Sequence, residues 1–201
     1  MNNKTKLALF GFYSLLTYRL SKLLQVIFQN IIEGIDPIIV SNLFWLGLAA
    51  WPAWRKKQES GLIPDIERIK KSKKELIVPV VTLILGLIVF IFFGITKLFH
   101  NVQIPIFFIV LTPFIEELIF RGWLWGKLEP HFKIWTIVIT AAFFSLHHLE
   151  YYNFQLSYFV IFQIIYTFAL GMILGRVRSI TGSIYVGLLL HILLNLASFV
   201  F

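Results

Sequence analysis

A chain of 201 residues that is 58% hydrophobic and only 14% charged, with a mean hydropathy of +0.82, falls well short of the roughly 25% charged residues of an ordinary water-soluble domain. The absence of cysteine excludes disulfides and thiolate metal sites. The net charge of +8 reads as membrane topology rather than nucleic-acid binding, because the basic residues fall between apolar runs. These features predict an all-α, polytopic transmembrane helix bundle forming a single membrane-embedded domain over residues 1–201.

The first apolar run, 7–30, carries Arg19 and Lys22 and has no small-x-small cleavage site, so it does not read as a signal peptide. It reads either as a span or as an amphipathic helix lying in the interface. A second span covers 38–54, with Trp51 and Trp54 as interface anchors. Residues 55–75 form a basic linker holding Arg55, Lys56, Lys57, Arg68, Lys70, Lys71, Lys73 and Lys74. Further spans are expected at 76–98, 104–127, 134–152, 155–175 and 183–201, about seven in all. With the N-terminus inside, 14 loop cations, Arg176 and Arg178 among them, lie on the cytoplasmic side and Lys97 alone lies outside. That bias places the N-terminus and the 55–75 linker in the cytoplasm of a multi-pass protein, in the plasma membrane if the cell is bacterial. Membrane lipids are its implied partners.

The run Thr112-Pro-Phe-Ile-Glu-Glu-Leu-Ile-Phe-Arg-Gly122 places Glu116, Glu117 and Arg121 within six residues of an apolar span. Each charge costs about 2.5–3.5 kcal/mol at the centre of a membrane helix, so the three should face a polar interior and carry a task. Glu117 and Arg121 are four apart and share a helix face, whereas Glu116 projects about 100° away and is left for chemistry. Thr112 and Pro113 suit a helix start, as N-cap and first helical residue, or alternatively a kink inside a longer span.

Other spans add His147 and His148, then His191 and Asn195, again four apart. Singly, such residues serve as interhelical hydrogen-bonding groups. Together with the acids they suit hydrolysis. A carboxylate and an imidazole can deprotonate water, and a second imidazole with an amide can donate to the oxyanion formed at an attacked carbonyl. Alternatively, Glu116, His148 and His191 match a three-ligand Zn²⁺ site with an open position. There is no His-Glu-x-x-His motif, and no serine or threonine stands in a setting that supports a Ser-His mechanism.

These residues resemble the motifs of the CPBP or Abi family of intramembrane proteases, which process CAAX tails and bacteriocins. Glu116, Glu117 and Arg121 match Glu-Glu-x-x-x-Arg; Phe144 and His148 match Phe-x-x-x-His; His191 and Asn195 match His-x-x-x-Asn. Phe143 and His147 fit the second motif's spacing too, but His148 is preferred because a leucine often follows the family histidine. The resemblance covers residues 104–197, the core of the domain. It implies an endopeptidase acting on a peptide or lipidated peptide, metallo- or glutamate-dependent, with Glu116 and His148 activating water. His191 and Asn195 would serve as oxyanion donors, and Glu117 with Arg121 would orient the site. CAAX-type tails, bacteriocin processing and self-immunity all stand as substrates or roles. A non-catalytic membrane interaction or immunity protein of the same fold is the alternative, and a proton-coupled transporter is a third reading.

Overall fold

The computed structural model describes residues 20, 22–28, 37–92, 106–149 and 155–200. Most of the predicted first span, along with Lys4, Lys6 and Lys97, lies outside these residues; 22–28 are helical. Among the described residues the structure is all-helical. Helix α1 spans Pro37–Arg55, α2 Ile66–Lys71, α3 Lys73–Phe92 and α4 Ile106–Glu117. A π-helical stretch, Leu118–Leu124, continues α4 directly into α5, Trp125–Phe132. Helices α6 (Trp135–His147), α7 (Tyr158–Thr181) and α8 (Ile184–Val200) complete the order.

The bundle is apolar on its outside. Helix α3 exposes Ile77, Val78, Val81, Ile84, Leu85 and Ile88, while Glu116, Glu117, Arg121, Thr136, Thr140 and His191 are buried. A water-soluble bundle distributes these residue types the other way round. Among the described residues one helix, α7, with 24 residues, is long and apolar enough to cross a bilayer by a length-and-hydropathy criterion. Trp51 and Trp54 are exposed, with the Arg55 and Lys57 cations 5.6 and 5.5 Å from their rings.

Three local features depart from the sequence reading. Pro113 lies inside α4, so Thr112-Pro113 does not start a helix and the proline falls within a longer helical run. Helix α7 runs to Thr181 rather than ending near residue 175, and is closed by Gly182 in the left-handed conformation at φ 68°. Arg178, read from sequence as a loop cation, is therefore inside the helix and only 5% exposed. The 55–75 segment is also more structured than a plain linker. It includes α2, whose first turn is capped by Asp65 accepting from the Arg68 backbone N–H.

Helices α6 and α7 approach closely because Gly171 and Gly175 present no side chain. A Cβ on Gly171 would stand 3.0 Å from the Cα and Cβ of Ala141, and one on Gly175 would stand 3.2 Å from the Ile137 side chain. Small residues of this kind let membrane helices pack backbone to backbone. The core around this contact includes Phe144, Leu170, Leu174, Leu124 and Ile184.

Candidate active site

The local i,i+4 geometry forms as the spacing requires. Arg121 Nη1 donates to Glu117 Oε1 at 3.1 Å, and neither side chain has any solvent exposure. Arg121 Nη2 donates across to the Gly171 carbonyl at 3.2 Å. The guanidinium carbon lies 4.4 Å from the ring centroid of Phe144, a cation–π distance in a water-excluded setting. One neutral acceptor and an aromatic face thus accompany the carboxylate in holding the charge. The π-helical turn that carries Arg121 interrupts the regular helical ladder, a form common at functional positions.

Helix α8 brings His191 to both acids. Its Nδ1–H donates to Glu117 Oε1 at 3.2 Å, and its Nε2 faces Glu116 Oε2 at 3.6 Å, ion-pair reach but longer than a hydrogen bond. The oxyanion role expected for His191 therefore meets a ring whose two nitrogens are turned to carboxylates. Gly187, one turn earlier on α8, makes room: a Cβ there would lie 3.3 Å from Glu117 Oε2. That oxygen and Arg121 Nε are buried without a protein partner among the described residues. Asn195 lies one turn beyond His191 on α8 and is half-buried.

His148 follows the last turn of α6. Its Nδ1 stands 2.9 Å from the Phe144 carbonyl. A carbonyl can only accept, so Nδ1 carries the hydrogen and Nε2 of the neutral ring keeps its lone pair. Phe144, with no solvent exposure, joins the pieces: its ring centroid is 4.9 Å from that of His148 and 5.8 Å from that of His191. His147 points elsewhere, with Trp45 and Phe120 each 5.7 Å away, centroid to centroid.

The zinc alternative asks for three converging donors. Two ligands of one tetrahedral zinc stand about 3.3 Å apart, so the 3.6 Å between Glu116 and His191 comes near that spacing. Among the described residues, however, no three His, Asp or Glu side chains gather into a metal-binding set. The expected third ligand, His148, does not complete one.

Sequence reasoning missed Arg178, whose Nε donates to the Arg121 carbonyl at 2.9 Å. The available signal was its position, four residues before the glycine that closes α7; its charge argued for a loop instead.

Fold and site together define an all-helical protein of membrane composition whose interior seals in a cluster of two acids, an arginine and histidines. A family profile described as type II CAAX prenyl endopeptidase, Rce1-like, matches residues 80–197. The chain belongs to this CAAX protease family, as the three motifs suggest. The family is one of membrane-embedded proteases. Comparison with curated proteins and with solved structures returns no match.

Proposed function

We propose that this chain is an intramembrane endopeptidase that cleaves prenylated, CAAX-type peptide tails with water activated by Glu116 and His148. The observation that carries this reading is His191 placed between the two acids, 3.2 Å from Glu117 and 3.6 Å from Glu116. Glu117 is neutralised by Arg121 and held by His191, which leaves Glu116 as the carboxylate with a chemical task. His148 Nε2 is turned into an acceptor by the Nδ1 hydrogen bond to Phe144. It can accept a hydrogen bond from the attacking water, whose other hydrogen Glu116 removes as a proton while the oxygen attacks the scissile carbonyl. His191 Nε2 faces Glu116 and can share the proton it gains. The Asn195 amide is then the donor for the tetrahedral oxyanion, and collapse transfers the proton to the leaving amine.

In the membrane we place seven spans in one domain over residues 1–201, with 104–197 as its catalytic core and the N-terminus and 55–75 linker in the cytoplasm. The apolar exterior of α3 and the charge bias of the segments between spans support this placement; with the buried Arg178 left out of the cytoplasmic cations the bias is 13 to 1.

The test is cleavage of a farnesylated CAAX-type peptide by the purified full chain in liposomes. Wild type should cut it and Glu116→Gln should not. Absence of cleavage by wild type, or equal cleavage by the variant, removes the proposal.

A further inference from the structure

We infer that Arg178 is a positioning residue for this site, tying the Arg121 backbone to the segment that precedes α2. The inference rests on the endopeptidase reading for its kinetic consequence and on geometry for the rest. Arg178 Nε donates to the Arg121 carbonyl at 2.9 Å, and its Nη2 donates to the Glu59 carbonyl at 2.7 Å. The residue is only 5% exposed, and both acceptors are neutral carbonyls. A buried guanidinium is costly unless its donors are satisfied. Its planar fork fixes the direction between the two carbonyls in a way that a lysine ammonium does not.

The far end of this strut is itself anchored. The Ile184 N–H donates to the Gly61 carbonyl at 3.3 Å, and the Tyr185 hydroxyl donates to the Leu62 carbonyl at 3.0 Å. Arg68 closes the end of α7 through bonds to the Ile180 and Ser179 carbonyls at 3.0 and 2.7 Å. Two glycines in left-handed conformations are shaped around these arginines. A Cβ on Gly61 would stand 2.6 Å from Arg178 Cζ, and one on Gly182 would stand 3.0 Å from Arg68 Nη1.

The near end bears on the chemistry. The Arg121 side chain holds Glu117 and the Gly171 carbonyl, and Glu117 in turn holds His191. Arg178 grips the backbone of that same Arg121, inside the π-helical turn where the regular ladder is interrupted. Displacing the turn moves Arg121, Glu117 and His191 together, and a misplacement of about 1 Å can cost about 100-fold in rate.

The experiment uses the full chain in liposomes with the farnesylated peptide, and compares wild type, R178K, R121K and the double variant. R178K should lower kcat by about 10- to 100-fold with KM within about twofold. The double variant should lose little more than R121K alone, because the two residues act as one unit. Unchanged kcat per folded molecule in R178K, or losses that multiply in the double variant, overturns the inference. Amide hydrogen exchange provides an arm independent of activity. R178K should speed exchange over Leu118–Leu124 and leave Trp135–His147 unchanged. Protection at 118–124 equal to wild type also overturns it, even for a protein that cuts no peptide, an outcome that would remove the proposed function separately. If R178K does not fold, R178Q leaves no buried charge unpaired and is read by the same two measurements.

Discussion

His191 donates through Nδ1 to the same Glu117 oxygen that accepts from Arg121, at 3.2 and 3.1 Å. One carboxylate oxygen therefore joins the histidine of the third sequence motif to the second acid and the arginine of the first. The neighbouring acid, Glu116, faces the far nitrogen of His191, at the longer distance of 3.6 Å.

This asymmetry predicts different phenotypes for the two acids. Glu116→Gln keeps the size and loses the base, so turnover should fall by about 100-fold or more with little change in thermal stability. Glu117→Ala leaves Arg121 in the interior without its carboxylate and should cost about 3–5 kcal/mol of stability as well as activity. Thermal melts in detergent alongside turnover decide it. A stable Glu117→Ala and an unstable Glu116→Gln would reverse the assignment.

The two adjacent histidines should separate as cleanly. His148 stands edge-on to Phe144, which also lies against Arg121 and His191, whereas His147 stands edge-on to Trp45. His148→Ala should abolish cleavage. His147→Phe keeps a ring against Trp45 and Phe120 and should retain much of it. Rate constants for the pair check this, and the opposite ranking would move the role to His147.

Gly171 serves both the helix contact and the site, since its carbonyl accepts from Arg121. Its missing Cβ would lie 3.0 Å from Ala141 backbone and side-chain atoms. Gly171→Ala should therefore destabilise by about 1–3 kcal/mol and lower activity. Gly86→Ala, where a Cβ meets nothing within 4 Å, should be neutral or stabilising by up to about 1 kcal/mol. Melting temperatures of the two variants make the comparison.

Topology is tested best at Gln58. It is exposed, whereas Ser60 is buried with its hydroxyl donating to the Ala53 carbonyl. In this cysteine-free chain a Gln58→Cys label reports on one site. An impermeant thiol reagent should leave it unlabelled in intact cells and label it after lysis; rapid labelling of intact cells would invert the orientation.

Metal dependence follows from the donor geometry. Because no three His, Asp or Glu side chains are arranged to hold a metal ion among the described residues, cleavage should persist after exhaustive treatment with a membrane-permeant chelator. Loss of activity restored by zinc, with about one zinc bound per active molecule as a single catalytic site requires, would show that the site closes around an ion.

The amino-acid sequence by itself identified the acids, the arginine and the histidines, because ionisable groups stand out in so apolar a chain and each is costly at membrane depth. It also determined the Glu117–Arg121 pair, since i,i+4 contacts depend only on the local helix, and that pair survives the π-helical turn beginning at Leu118. What the tertiary structure decided are the contacts between residues far apart in the chain. The acceptor of His191 Nδ1 lies 74 residues away, so spacing along one helix could not reveal that both acids converge on that ring. Arg178 read as a loop cation because charge alone argues for water. It lies in the interior because carbonyls 57 and 119 residues away receive its donors, and only the packing of α7 against the π-helical turn and the segment before α2 brings those carbonyls within reach.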